Sequence, residues 1–297
     1  MQNTSKVSVI IVNYNSGSYA KDCILSLLKQ QSAQLEIIVI DNASVDDSVA
    51  LLESIFKHQI TLIQSAENLG FGRANNLGAA HATGEFLLLL NPDTVIESPD
   101  VVQQMVDYYL KNNLIGLLAP LIVEPRKNKQ VLPRYSYPSS KQLQNTNKIN
   151  HLPGDIAWVL GACMLIKRSV FNEINGFDPD YFLYGEDTDI CLRLRLVGYE
   201  IGFINAVNVM HVSGASEIGA NTLDKWLRKR RGLFLFFKKH YHADDVTKIA
   251  KAAMFKSQLY LMGLGIKSMF YPKGDLKFLD QKSRLQATVI AAKEVLI

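Results

Sequence analysis

Apolar residues along the chain follow two alternating rhythms. Nearly unbroken apolar runs of strand length occupy residues 7–12, 35–40, 60–63 and 86–90, each stopped by a polar cluster. Between them lie stretches whose apolar residues stand three and four apart. In residues 19–31, Cys23, Ile24, Leu27 and Leu28 share one helical face. Helices are also predicted up to Phe56, with Ser44 or Asp46 as cap, and over 74–82. Unbroken runs suit strands buried on both faces, and strands alternating with helices predict a parallel sheet with crossover connections.

The run at 86–90 is the most apolar, and Asn91-Pro92 ends it abruptly. It therefore delivers Asn91 and Asp93 to the carboxyl edge of the sheet, where open α/β sheets bind ligands. A carboxylate there serves as a helix cap or as a ligand for a hard cation. The neighbouring strand ends carry Asn13 and Asn15, Asp41, and the segment Asn68–Arg73. One such group is ordinary turn chemistry, whereas four consecutive strand ends with polar groups predict a ligand site. The first strand–helix turn reads Asn-Tyr-Asn-Ser-Gly, so the glycine fingerprint for dinucleotides is absent, as is a phosphate-binding P-loop.

The second half is less regular. A helix over 97–113 presents Val101, Val102, Met105, Val106 and Tyr109, and a strand follows at 114–119. Residues 120–153 have no period and read as a long loop, in which Arg126, Lys127, Arg134, Tyr135 and Tyr137 either meet a substrate or face solvent. Residues 155–166 read as a strand pair, with Gly161 marking close backbone approach. A helical turn at 168–173 and a turn at 176–178 lead to Glu186, Asp187 and Asp189, three acids opening an apolar helix. One acid at a helix start suits the dipole. Three crowded carboxylates repel each other and raise the pKa of at least one, as a general base requires.

Residues 222–241 form a helix with Lys225, Arg228, Lys229, Arg230, Arg231, Lys238 and Lys239 among aromatic and leucine side chains. That pattern fits an anionic membrane surface or a solvated face. Residues 246–270 are a second amphipathic stretch of membrane-edge or dimer-forming type, and the tail after Pro272 carries no signal. The net charge of +4 is too small to indicate a nucleic-acid binder. Cys23, Cys163 and Cys191 are widely spaced in apolar contexts, which predicts reduced core thiols rather than a metal site. No signal-peptide core and no apolar run of spanning length is apparent, so a cytoplasmic protein, peripheral on the inner face of the cell membrane, is expected.

The runs 7–15, Asp41-Asn-Ala-Ser, 67–78 and Asn91-Pro92-Asp93, together and in this order, resemble the signature of glycosyltransferase family 2, in particular its rhamnosyltransferase-like branch. The resemblance spans about residues 6–240. It implies a GT-A fold: a mixed, Rossmann-like sheet flanked by helices, with carboxyl-terminal amphipathic helices. It places a catalytic domain at 1–220, divided into a nucleotide-sugar half (1–95) and an acceptor half (96–220), and a helical region at 221–297. By the same resemblance Val12 and Tyr14 line the base pocket, Asp41 pairs with the pyrimidine, Arg73 lies near the base or diphosphate, and Asp93 holds Mg or Mn. Asn15, Asn68, Gly70 and Trp158 complete the expected substrate contacts. Asp187 is the expected base, with Glu186 or Asp189 as alternatives; otherwise Glu186 orients the acceptor, and Asp189 contacts substrate or fixes the turn. His211, in a His-x-x-Gly-x-Ser pattern, is a second expected metal ligand.

One position departs from the usual Asp-x-Asp metal motif: the Asn91 amide can still hydrogen-bond the nucleoside sugar, as a substrate contact, but it carries no charge and is the poorer metal ligand. Asn-Pro-Asp is common in the rhamnosyltransferase-like branch, which implies a dTDP-sugar donor. The expected reaction is inverting transfer of a sugar, L-rhamnose in particular, to a glycan or lipid-linked saccharide, with homodimerisation through the terminal helices. The alternatives are a UDP-sugar transferase (galactofuranose or glucose) and a non-catalytic nucleotide-sugar-binding scaffold. A nucleotidyltransferase would want a glycine- and basic-rich first turn, which this chain lacks.

Overall fold

The computed structural model describes residues 5–144, 149, 151–212, 221–267 and 275–297. The chain divides into two units, one of residues 1–137, 151–182 and 186–216, the other of residues 138–150, 183–185 and 217–297.

The first unit is built on a sheet. In chain order its elements are β1 (Lys6–Asn13), α1 (Gly17–Leu27), β2 (Gln34–Asp41), α2 (Ser48–Phe56), β3 (Thr61–Gln64), α3 (Phe71–His81), β4 (Phe86–Leu90), β5 (Thr94–Val95), α4 (Val101–Leu110), β6 (Ile115–Glu124), β7 (Lys129–Val131), β8 (Cys163–Lys167), α5 (Arg168–Glu173), α6 (Glu186–Leu196) and β9 (Glu200–His211). The sheet order is β3-β2-β1-β4-β8-β6-β9-β5, with β7 added to β6. β1 pairs in parallel with β2 and β4, and β2 with β3. β8 runs antiparallel between β4 and β6, so the sheet is mixed.

β4 is buried along its whole length, as its unbroken run requires. Successive side chains alternate between faces. Phe86, Leu88 and Leu90 join the core with α1, α2 and α4, while Leu87 and Leu89 join the core with α3, α5 and α6. Cys23, Cys163 and Cys191 lie unpaired in these cores, and burial pushes the thiols of Cys23 and Cys191 up to about 12.

Four local expectations are corrected. α3 starts at Phe71 rather than Ala74, because Gly70 takes φ +78 and turns the chain into the helix. The strand expected to stop at residue 119 runs to Glu124 and returns through β7. Pro120 hid this extension; it sits where the β6–β9 register shifts, so its missing N–H interrupts no regular ladder. The strand pair expected at 155–166 is one strand, β8, preceded by an isolated bridge between Arg134 and Trp158. Neither Ser44 nor Asp46 is the N-cap of α2: that position is Asp47, whose side chain makes no capping bond, while Asp46 Oδ1 accepts the Ser48 amide at 3.1 Å.

The second unit contains α7 (Thr222–His240), α8 (Ala243–Lys267) and α9 (Leu276–Leu296). The tail that carried no sequence signal is therefore mostly helix, opened by Asp275, whose side chain accepts the Phe278 amide at 2.8 Å. Part of the long loop belongs to this unit. The Gln144 amide donates to the Asp245 carboxylate, and the Tyr241 hydroxyl donates to the Pro138 carbonyl at 2.6 Å. No described helix is long and apolar enough to cross a membrane.

Candidate active site

The carboxyl ends of β1 and β2 lie side by side, with Asn13 in register with Asp41. Asn13 Nδ2 donates to Asp41 Oδ1 at 2.9 Å and to Ser44 Oγ at 3.1 Å, and the Ser44 amide donates to Asp41 Oδ2 at 3.0 Å. The Asn15 amide donates to Ser44 Oγ, and Asn15 Oδ1 accepts the Val45 amide. Asn15 sits at φ 49, a left-handed conformation that asparagine tolerates. Val12 packs into the core below this floor and Tyr14 lies beside it, half-buried.

Next along the edge, Asn42 organises the β3–α3 turn. Its Nδ2 donates to Asn68 Oδ1 at 3.0 Å and to the Gly70 carbonyl at 3.2 Å, and its Oδ1 accepts the Leu69 amide at 2.8 Å. At Gly70 a Cβ would stand 2.2 Å from the Phe182 carbonyl oxygen, so only glycine fits. The Phe71 amide donates to that same carbonyl, which ties the turn to the segment leading toward the acids. Asn42 was missed in the sequence, where it reads as an ordinary turn residue after Asp41.

Just past the end of β4, the Asn91 amide donates to the Ala162 carbonyl at 2.9 Å. β5 pairs antiparallel with the end of β9, Thr94 opposite His211, and the Val212 amide donates to the Asp93 carbonyl. Backbone pairing thus brings together residues far apart in the chain. His211 Nε2 lies 3.2 Å from Asp93 Oδ1 and 3.3 Å from Asn91 Nδ2. Cis ligands of an octahedral divalent ion with bonds of about 2.1 Å stand about 3 Å apart, so the Asp93–His211 spacing fits one cation. Among the described residues no group of three or more His, Cys, Asp or Glu is placed to hold a metal. Two protein donors suit an ion that takes its other ligands from phosphate and water. Glu124, at the end of β6, was also missed; its Oε1 lies 3.8 Å from His211 Nδ1 and 2.9 Å from Lys127 Nζ. Its sequence signal was masked by Pro120 and the apparent loop. Ser213, Gly214 and Ser216 of the histidine pattern lie outside the described residues.

The acids stand at the start of α6. Asp187 Oδ1 accepts the Thr188 amide at 2.7 Å, and Oδ2 accepts the Gly161 amide at 3.4 Å. Gly161 is the close approach expected there: a Cβ on it would be 3.2 Å from Asp187 Cβ. Glu186 is buried, and its Oε2 has no hydrogen-bond partner. Burial, helped by the Asp187 charge, pushes the Glu186 carboxyl up to about 8, and burial also raises that of Asp187. The Thr188 and Gly161 amides that donate to Asp187 offset part of that rise. Gly161 thus donates to Asp187 while its neighbour Ala162 accepts from Asn91, which brings the acids to the end of β4.

Three residues expected to contact substrate already have partners within the protein. Asp189 is fully buried and ion-paired to Arg193 at 2.7 Å, whose other nitrogens donate to the Ile174 and Gly176 carbonyls. That arrangement is the turn-fixing role. Arg73 is exposed on α3 with Nε donating to the Pro179 carbonyl. Trp158 is half-buried, its indole N–H donating to the Ser136 carbonyl at 3.3 Å.

Comparison with known proteins adds the following. The family model described as glycosyl transferase family 2 matches residues 8–175, and one described as the N-terminal domain of galactosyltransferase matches residues 141–213. The rhamnosyltransferase WbbL of Escherichia coli is 30% identical over 227 residues, covering 69% of this chain and 83% of its own. The N-acetylglucosaminyl-diphospho-decaprenol L-rhamnosyltransferase of Mycobacterium tuberculosis is 23% identical over 243 residues, covering 70% and 76%. Among solved structures, the mannosyltransferase PcManGT from Pyrobaculum calidifontis, in complex with GDP-Man and Mn2+, matches with a TM-score of 0.62 at 16% identity, over 99% of this chain and 88% of its own.

Proposed function

The chain belongs to glycosyltransferase family 2, in its rhamnosyltransferase-like group, and on that premise we propose an inverting, metal-dependent transfer of L-rhamnose from dTDP-rhamnose to a lipid-linked saccharide. The single observation that supports it best is the 3.2 Å approach of Asp93 to His211 beside Asn91. The donor is supported by Asn91-Pro92-Asp93 and by the rhamnosyltransferases among the relatives; the acceptor is supported by the mycobacterial relative's diphospho-decaprenol substrate.

In this reading residues 1–220 are the catalytic domain and 221–297 the helical region. Asp41, Asn15 and Tyr14 take the nucleoside, and Asn68 and Gly70 shape the adjoining wall. Asp93 and His211 hold Mg or Mn, which as a Lewis acid would offset charge on the departing diphosphate. Asp187 takes the proton of an acceptor hydroxyl as that oxygen attacks the anomeric carbon and the bond to the diphosphate breaks. Glu186, protonated, orients the acceptor. Inversion follows from single displacement, since double displacement would need a carboxylate nucleophile, by analogy with glycoside hydrolysis. The acceptor would bring the protein to a membrane surface.

The test is product analysis with dTDP-rhamnose, UDP-galactofuranose, UDP-glucose and GDP-mannose, each with an N-acetylglucosaminyl-diphospho-lipid. Transfer from dTDP-rhamnose alone, with inverted anomeric configuration by NMR, is expected. Transfer from a UDP sugar instead would overturn the donor, and retained configuration would overturn the mechanism.

A further inference from the structure

We propose that the outward face of α8 docks on an anionic phospholipid bilayer, an inference that rests on the acceptor being lipid-linked. The mild net charge hides a strong asymmetry. Residues 221–297 carry 16 Lys and Arg against 6 Asp and Glu, whereas residues 1–220 carry 16 against 22. The helical region is thus at +10 and the rest of the chain at −6.

The basic helix α7, the expected membrane contact, uses its apolar residues internally. Phe234, Phe236 and Phe237 are buried. Arg231 grips Glu294 with two bonds of 2.6 and 3.0 Å, and Lys229 and Arg230 lie over the Trp226 ring. α8 differs. It turns Val246, Ile249, Ala250, Ser257 and Leu264 inward, yet exposes Phe255, Leu259 and Met262 at 64%, 48% and 62%. Spacings of four and three residues put these three on one stripe, and at 100° per residue Lys251 and Lys256 fall on its two flanks.

A large apolar stripe edged by lysines is the pattern of a helix lying in the headgroup plane. A second copy of this chain would bring two +10 regions together, which disfavours a homodimer at this face. Anionic headgroups neutralise the same charge. No described helix can cross the bilayer, so contact through a stripe is the mode that remains for the described residues.

The experiment is sedimentation of the full chain with vesicles of phosphatidylglycerol and phosphatidylcholine in equal parts, against phosphatidylcholine alone. Wild type should bind the mixed vesicles and not the neutral ones. The triple variant Phe255→Ser, Leu259→Ser, Met262→Ser should lose binding at least about tenfold. Lys251→Glu with Lys256→Glu should weaken it most at low salt. Circular dichroism and calorimetric donor binding should match wild type in both variants, since the side chains are outside the site. Undiminished vesicle binding by the triple variant, or a light-scattering dimer that it abolishes while wild type ignores vesicles, would overturn the proposal. A wild-type chain that binds vesicles but no nucleotide sugar would instead overturn the proposed function and leave this surface standing.

Discussion

Two stretches of the sheet's carboxyl end, each forming one edge of the candidate site, are built on opposite principles. At the ends of β1, β2 and β3, Asn13, Asp41, Ser44, Asn42 and Asn68 bond mainly to one another and to turn amides, and of these five side chains Asn13 has a buried oxygen, Oδ1, without a hydrogen-bond partner. At the ends of β4 and β9 and the start of α6, Glu186 Oε2 and His211 Nδ1 are buried without hydrogen-bond partners, and two carboxyls are raised by burial. The first edge is shaped before any ligand arrives. The second carries groups whose preferred partners are yet to come, which is the arrangement expected where protons and charge move.

The contrast predicts different failures at the two edges. Asp187→Asn should lower kcat by about a hundredfold to ten-thousandfold while leaving donor affinity near wild type, measured by single-turnover kinetics and calorimetry. Loss of donor affinity instead would move Asp187 to the binding edge.

The next effect is on stability. The folded protein holds the Glu186 proton up to about pH 8, whereas an ordinary glutamate releases it near 4.5. The folded state therefore binds more protons between these values, and the ligand-free protein should lose stability as pH rises through them. Glu186→Gln keeps the neutral shape and should flatten that decline, leaving the variant more stable than wild type above pH 8 by denaturant titration. Parallel curves for the two proteins would place the Glu186 proton elsewhere.

Smaller still, Asn42→Ala removes three hydrogen bonds of the binding edge and should destabilise by about 1–3 kcal/mol. Its catalytic cost should appear in KM more than in kcat. A fall in kcat alone would break the distinction between the edges.

Legibility in the sequence follows the same divide. The parallel half was readable because its strands are continuous apolar runs and each strand end announces itself with polar residues. Asn13, Asp41, Asn91 and Asp93 could be placed from strand ends alone. The second half depends on pairing between distant segments. The resemblance pointed to His211, but no local pattern puts it opposite Thr94, and Glu124 was hidden in what looked like loop because Pro120 usually ends a strand. Asp189 illustrates the limit of residue type as evidence: it sits two positions from Asp187, yet helical rotation turns it into the core against Arg193. On α7 a membrane-like pattern of basic and aromatic residues folds into a surface ion pair with α9 and into ring contacts, which composition could not separate from an outward face.

In the proposed function Asp93 and His211 hold one divalent cation that helps bind the donor diphosphate. Calorimetry of dTDP-rhamnose binding with Mn2+, and again after chelation, tests it on wild type, Asp93→Asn and His211→Ala. Chelation should cost the wild type at least about tenfold in affinity, and both variants should bind weakly and equally with or without Mn2+. Equal affinity of the wild type in both conditions, or variants that keep the full response to Mn2+, would contradict it.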